Sequence, residues 1–271
     1  MDGWVVRLVG AIVVVALLPV AAAAQDCGNS ARGFENWLAR FATAARKRGI
    51  SAATVRRALS GLTYNRRVIR LDRSQRSFKQ SFAVFYKRRA SAYTRKRARA
   101  RLRRHARLFA GIEKRWGVPR EVIVSIWGLE TNFGAGGGKM SIVRSLATLA
   151  YDCRRAKFFR NELSSALKII QRGDMSPAQL RGGWAGEIGQ AQFLASSYLK
   201  FAVDYDGDGR RNLIRSVPDV LASIANFLKA HGWRRGQSWL PGTANYAVLR
   251  DWNRAKVYQR TIAVMADSLR R

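Results

Sequence analysis

Apolar residues recur at helical spacing along most of the chain, interleaved with basic ones, while sustained two-residue alternation is scarce. The pattern predicts helices over 34–48 and 51–60, stopped by Gly49 and Gly61, and a long, strongly basic helix over 78–109. Further helices are predicted from Pro119 onward and over 141–149, 156–171, 216–230 and 252–269. Such a chain is mainly α; a β-barrel or β-sandwich is excluded. Glycine-rich breaks at 134–138, 182–189 and 207–209 cluster in the middle third, where backbone must approach something closely. No repeat or low-complexity linker divides the 271 residues, which are enough to bury a proper core.

One position breaks the apolar pattern. In the helix that starts at Pro119, a first-turn residue by type, Ile123, Ile126, Trp127 and Glu130 share a face. Desolvation raises a carboxyl pKa, and so does the negative end of a helix dipole. A rise of about 2 units, ~2.7 kcal/mol, makes such a group a proton donor at neutral pH. Helix spacing alone favours two plainer readings: a glutamate at a fraying helix end, or one paired with an arginine.

Composition adds a sign and an address. With 48% hydrophobic and 25% charged residues the chain is globular, but 50 Lys+Arg against 17 Asp+Glu give a formal charge of +33, which favours polyanions or anionic envelope surfaces. Arg7, the apolar run 8–20 and Ala21-Ala22-Ala23-Ala24 match a secretory signal over 1–24, cut after Ala24. The run is short for a spanning helix, which is the competing reading. Gln25-Asp26 before Cys27 is unlike a lipoprotein cleavage site. The expectation is therefore a soluble, monomeric, exported protein of the periplasm. There, two cysteines predict one disulfide, Cys27–Cys153. Export also argues against a nucleic-acid partner for the basic stretch 87–107, which carries no DNA-binding signature and reads as a cationic face for an anionic wall.

The remaining chemistry narrows by exclusion. His105 and His231 are the only histidines, so His-dependent triads and multi-histidine zinc sites are ruled out. No G-x-S-x-G or Walker loop occurs. Carboxylates, amides and aromatics are left, the residues used on polysaccharides. Glycoside hydrolysis usually takes two carboxylates, yet none of Asp152, Glu162, Glu187 or the Asp204 cluster pairs with Glu130 by spacing. One acid suffices if the sugar supplies its own nucleophile.

The stretch Trp127-Gly128-Leu129-Glu130-Thr131-Asn132-Phe133-Gly134 resembles the catalytic-glutamate motif of B-type lytic murein transglycosylases. Gly182-Gly183-Trp184-Ala185-Gly186-Glu187-Ile188-Gly189-Gln190-Ala191-Gln192-Phe193 is similar to that family's substrate loop, and Trp252-Asn253-Arg254 with Tyr258 also fits. The similarity runs in order through nearly all of 25–271. It implies a goose-lysozyme-like helical core with added N- and C-terminal helices, a small irregular or β insertion, and a groove for peptidoglycan glycan strands. It also implies a non-hydrolytic reaction, needing no cofactor, that cuts between N-acetylmuramic acid and N-acetylglucosamine and leaves a 1,6-anhydro end, with Glu130 as acid and then base.

By the same resemblance Gln192 and Asn253 lie in the groove, with Tyr258 and Tyr86 beside the glutamate or the sugars. Trp184 is either a sugar platform or a packing anchor. Plainer roles stand beside these: Gln192 satisfying loop backbone, Tyr258 as core next to Ile262. Two positions depart from the pattern. Gly183 stands where some relatives carry serine. Glu187 replaces a small residue and reads as a rim charge facing arginines, or as a second carboxylate for a hydrolytic muramidase. A non-catalytic, cationic wall-binding protein is the rival from outside enzymes. Finally, Asp204, Asp206, Asp208 and Arg210 match the first half of an EF-hand loop, with Gly209 sixth but Arg215 twelfth. Asp219 is the candidate closing ligand over 204–219, and it competes with a capping box from Ser216. The alternatives are a structural calcium ion or a bare turn.

Overall fold

The structure, a computed structural model, describes residues 27–75 and 80–270. The expected export signal over 1–24 lies outside the described residues. In chain order the helices are α1 (Phe34–Lys47), α2 (Ala52–Leu59), α3 (Arg66–Arg73), α4 (Phe82–Arg89), α5 (Ala92–Arg104), α6 (Ala106–Trp116) and α7 (Arg120–Thr131). After strand β1 (Met140–Ser141) come α8 (Ile142–Tyr151) and α9 (Ala156–Arg172). Beyond strand β2 (Arg181–Gly182) lie α10 (Ala195–Phe201), α11 (Val217–Ala230), α12 (Ala244–Trp252) and α13 (Lys256–Ser268). The two strands pair antiparallel, Met140 opposite Gly182. Bridges Gly182–Ile188 and Ile188–Phe193 then fold the glycine-rich loop onto itself.

Local capping explains many of the boundaries. Ser51, Ser81, Ser91, Ser141, Ser216 and Thr243 each accept a backbone N–H three residues on, and Asn65 accepts two, from Arg67 and Val68. The basic stretch predicted as one helix is three. Ala90 is fully buried and Ser91 recaps the chain, so α4 ends and α5 starts in a new direction. His105 separates α5 from α6. Periodicity missed these breaks because basic residues continue through them. Pro119 is the residue before α7 and not in its first turn. Helices α3, α10 and α12 were not expected; the first and last are short and polar on their surfaces.

Helix α7 is the axis of the fold. Instead of one buried face it has none exposed from Val122 through Leu129, because α5, α6, α11 and α13 pack around it. Burying Ile123, Ile126 and Leu129 completely stabilises this packing by roughly 1.5–3 kcal/mol per side chain. A second aromatic cluster, Phe34, Trp37, Tyr64 and Tyr151, holds α1 to α8.

Beside it Cys27 and Cys153 are joined, their Cα atoms 5.0 Å apart, and Gly28 N–H donates to Tyr151 O at 2.9 Å. The adjoining turn is a charge cage. Arg73 forks onto Asp152 at 2.9 and 2.7 Å, while Arg154 and Arg155 both bond Asp72. Burial pushes the Asp72 carboxyl up, but the arginine hydrogen bonds outweigh it and hold the group below the usual range. Among the described residues no helix is long and apolar enough to cross a membrane.

The disulfide closes a 126-residue separation. Replacing both cysteines with serine is expected to lower unfolding free energy by about 2–5 kcal/mol, read by urea denaturation. An unchanged midpoint would show that the charge cage alone holds the N-terminus.

Candidate active site

The site begins where α7 ends. Asn132 and Phe133 both take left-handed backbone, φ 51° and 60°, uncommon for side-chain-bearing residues. Asn132 N–H donates to Gly128 O and Phe133 N–H to Trp127 O, at 2.9 and 3.3 Å. Arg97 holds the turn by donating to Asn132 Oδ1 at 2.6 Å and lying over the Phe133 ring. The ring folds back onto the helix only because Gly128 has no side chain; a Cβ there would stand 2.8 Å from it. Gln190, in the glycine-rich loop after β2, is tied in as well. It accepts from Trp127 Nε1 at 2.8 Å, donates to Ile214 O at 2.9 Å, and its carbonyl takes the Thr131 hydroxyl at 2.9 Å.

Glu130 therefore leaves a rigid helix end and points into a cleft of about 350 Å³, whose walls include Glu187, Gln192, Phe193, Phe227 and Asn253. It is half-buried. One carboxyl oxygen, Oε1, accepts from Trp252 Nε1 and from Tyr258 Oη, each at 2.8 Å. Among the described residues Oε2 has no donor. Trp252 is in turn packed by Phe193 and Phe227. Arg89 donates to the carbonyl of Leu129, next to the acid.

Burial pushes the Glu130 carboxyl above its ordinary range and is the largest influence. The Trp252 and Tyr258 hydrogen bonds and the Arg89 charge pull it down without prevailing, and Glu187 adds to the rise. Tyr258, buried beside the acid, is pushed well up and stays neutral, so its hydroxyl is a donor to the carboxylate. With both donors on Oε1, the proton of the neutral acid belongs on Oε2. That is a proton aimed at the cleft by default of any other partner.

The residues singled out from sequence are distributed unevenly. Gln192 lines the cleft, also in left-handed backbone at φ 51°, and its amide N–H groups go to Gly137 O and Gly189 O at 3.2 and 2.7 Å. Asn253 lines it too, with Oδ1 accepting from Ala255 N–H at 3.0 Å. Trp184 is half-buried against the core and Tyr86 packs on Phe82 beneath Arg95; neither borders the cleft. Glu187 does border it; among the described residues it makes no ion pair, and Arg155 acts on it through its charge alone. In the acidic loop Asp204, Asp206 and Asp219 bring carboxyl oxygens within 4.8 Å of one another. Asp208 is outside that cluster, accepting from Arg210 N–H.

Trp252, Gln190 and Arg89 were not expected here. Trp252 directly precedes Asn253 in the motif, and that adjacency was its only signal. No spacing could point to Gln190 or Arg89, whose partners lie 63 and 40 positions away.

The mostly helical body matches lysozyme-like lytic transglycosylase structures. SltB3 from Pseudomonas aeruginosa, solved in complex with NAG-anhNAM-pentapeptide, superposes with a TM-score of 0.83 at 31% identity, over 88% of this chain and 80% of that one. The Escherichia coli lytic transglycosylase Slt35 in complex with calcium gives 0.76 over 86% and 92%, at 24% identity, a likeness of fold. The chain belongs to the transglycosylase SLT domain family, which it matches over residues 33–242. Over 122 residues it is 45% identical to membrane-bound lytic murein transglycosylase B of Escherichia coli (strain K12). That stretch is 45% of this chain and only 34% of the relative's length.

The raised Glu130 pKa fixes a stability prediction. The native state keeps this proton above the pH at which the unfolded chain releases it, so the contribution is complete in acid and is lost as pH rises through the native pKa. Glu130→Gln cannot ionise and keeps an acceptor for Trp252 and Tyr258. Its melting temperature is expected to match wild type near about pH 4 and exceed it near about pH 8. A wild-type advantage at the higher pH would mean that the ionised carboxylate is the stabilised form.

Proposed function

We propose that this chain is a lytic murein transglycosylase, with residues 25–271 as its catalytic region and Glu130 as the group that does the chemistry. The observation that carries the reading is the division of labour within one carboxyl: Oε1 anchored by two donors, Oε2 left for the cleft. The family and the 31% identical SltB3, solved with peptidoglycan fragments, support glycan as the substrate.

In the proposed reaction the Glu130 proton passes to the glycosidic oxygen between N-acetylmuramic acid and N-acetylglucosamine as the C1–O bond breaks. The carboxylate then takes the proton of the muramic 6-hydroxyl while that oxygen bonds C1. No water is consumed, and the acid ends protonated as it began. Trp252 and Tyr258 stabilise the carboxylate between the two transfers, when it needs donors most. Gln192 and Asn253, which line the cleft, are the proposed sugar contacts, and Tyr258 acts through Glu130. Acid–base transfer of this kind supplies on the order of 10²–10⁴-fold.

Glu130→Gln, assayed on isolated peptidoglycan, is expected to lose at least about 10²-fold in rate while still binding it. Mass spectrometry of wild-type products is expected to show 1,6-anhydro ends. Reducing ends would assign the protein to the hydrolytic muramidases, and unchanged clearing by Glu130→Gln would make it a binder. We place the protein in the periplasm: the Cys27–Cys153 pair suits an oxidising compartment, and the charge of +33 suits an anionic envelope.

The same loop arrangement supports a structural calcium ion at Asp204, Asp206 and Asp219, a hard-oxygen donor set. Burial pushes the Asp219 carboxyl up, and the Asp206 charge adds to this, strain that a cation relieves. The carboxylates also serve their own loop, with Asp219 taking N–H groups of Tyr205 and Asn212 at 2.8 and 2.7 Å. Neighbouring Arg210 and Arg211 make a weak site the expectation. Calcium should raise the melting temperature of wild type but not of Asp204→Asn; equal shifts in both would leave a bare turn.

A further inference from the structure

Glu187 lies on the cleft it shares with Glu130, in the loop after β2. The room for it is made by a missing side chain. A Cβ on Gly183 would stand 2.2 Å from Glu187 Oε2 and 3.0 Å from its carboxyl carbon. Gly183 does not have the left-handed backbone of its neighbours Gly186 and Gly189, so no conformational need calls for glycine there. The carboxyl fills the space beside it, and a Cβ there would displace Oε2.

The group is also held in place. Ala185 N–H donates to Oε2 at 3.1 Å, and Gly183 N–H to the Glu187 carbonyl at 2.8 Å, which fastens the short turn 183–187. Among the described residues no other side chain bonds the carboxyl. Arg155, whose charge acts on it, is committed to Asp72 at 2.5 Å. Burial pushes the Glu187 carboxyl up as it does that of Glu130. A half-buried acid with neither ion pair nor side-chain partner is costly to keep unless a ligand completes it.

We propose, resting on the glycan-cleaving reading above, that Glu187 is a substrate-positioning residue. Its other carboxyl oxygen, Oε1, hydrogen-bonds the saccharide seated over Glu130, and Gly183 is the matched position that leaves room for Oε2 beside the Ala185 N–H. Fixing the sugar from a second point on the cleft wall sets the distance between Oε2 of Glu130 and the bond to be cut, where small misplacements cost rate heavily.

The test compares the whole chain with Glu187→Gln, Glu187→Asp, Glu187→Ala, Gly183→Ala and the double variant Gly183→Ala/Glu187→Ala. Cleavage of isolated peptidoglycan is followed against substrate concentration, with product end groups and thermal melting recorded for each. Glu187→Ala is expected to lower kcat/KM about tenfold or more. Glu187→Gln, which keeps the length and an acceptor, should recover most of that loss. Glu187→Asp, which keeps the charge but withdraws it by one methylene, should not. Gly183→Ala should reproduce the defect alone yet add less than about twofold in the Glu187→Ala background. Product ends stay those of wild type throughout.

Glu187→Ala or Glu187→Asp within about twofold of wild type overturns the proposal. Additive losses at 183 and 187 do so as well. So does a change of product ends in Glu187→Gln, which would make the residue a base for water. Cleavage that survives Glu130→Gln overturns the underlying functional reading instead, whatever Glu187 does.

Discussion

The pair of hydrogen bonds onto Glu130 Oε1 is the contact on which the arrangement rests. Its donors come from Trp252 at the end of α12 and Tyr258 near the start of α13, more than a hundred residues along the chain from the acid. Both donors are neutral, so they orient the carboxyl without forcing it to ionise. A cation in the same place would have done the opposite, holding the group as a carboxylate. With 50 basic residues available, the chain still surrounds this acid with an indole and a phenol and leaves Arg89 on the adjacent carbonyl.

Keeping that geometry explains features that look unrelated. Helix α7 is buried on all sides, which removes the fraying that a terminal glutamate would otherwise suffer. Two successive left-handed residues stop it sharply after Thr131, and Arg97 and the Gly128–Phe133 contact stabilise the stop. Gln190 then couples the helix to the glycine-rich loop that forms the facing wall. Acid and opposing wall are thus one mechanical unit, and Glu187 and Gln192 are presented at set positions relative to Oε2.

The basic surface is less free than its composition suggests. Arg95, Arg97 and Arg99 donate to Ala90 O, Asn132 and Ser268 O, and Arg101 lies over Trp127. Part of the basic face of α5 therefore builds the wall behind the site. The Asp72 cage does the same for the N-terminal end, locking the disulfide turn with arginines.

Much of this was legible from residues in a row. Helical periodicity exposed the mainly α body. The carboxylate among Ile123, Ile126 and Trp127 drew attention to Glu130 without choosing between an acid and a plain surface glutamate, the motif around it resembled a family's, and the near absence of histidine removed most other chemistries. Those are local properties, carried by neighbours three or four positions apart. What the sequence could not disclose is whatever depends on distant segments meeting. It could not show whether Glu130 faces an arginine or two neutral donors. Nor could it show that Trp252 is a partner while Tyr86 is turned onto Phe82, that the Glu187 carboxyl fills the space beside Gly183, or that Ala90 and Ser91 break a stretch of uniform charge. Periodicity reports only which side of an element is buried, and direction of burial does not say what it is buried against. That was decided when α7, α12, α13 and the glycine-rich loop closed around one carboxyl group.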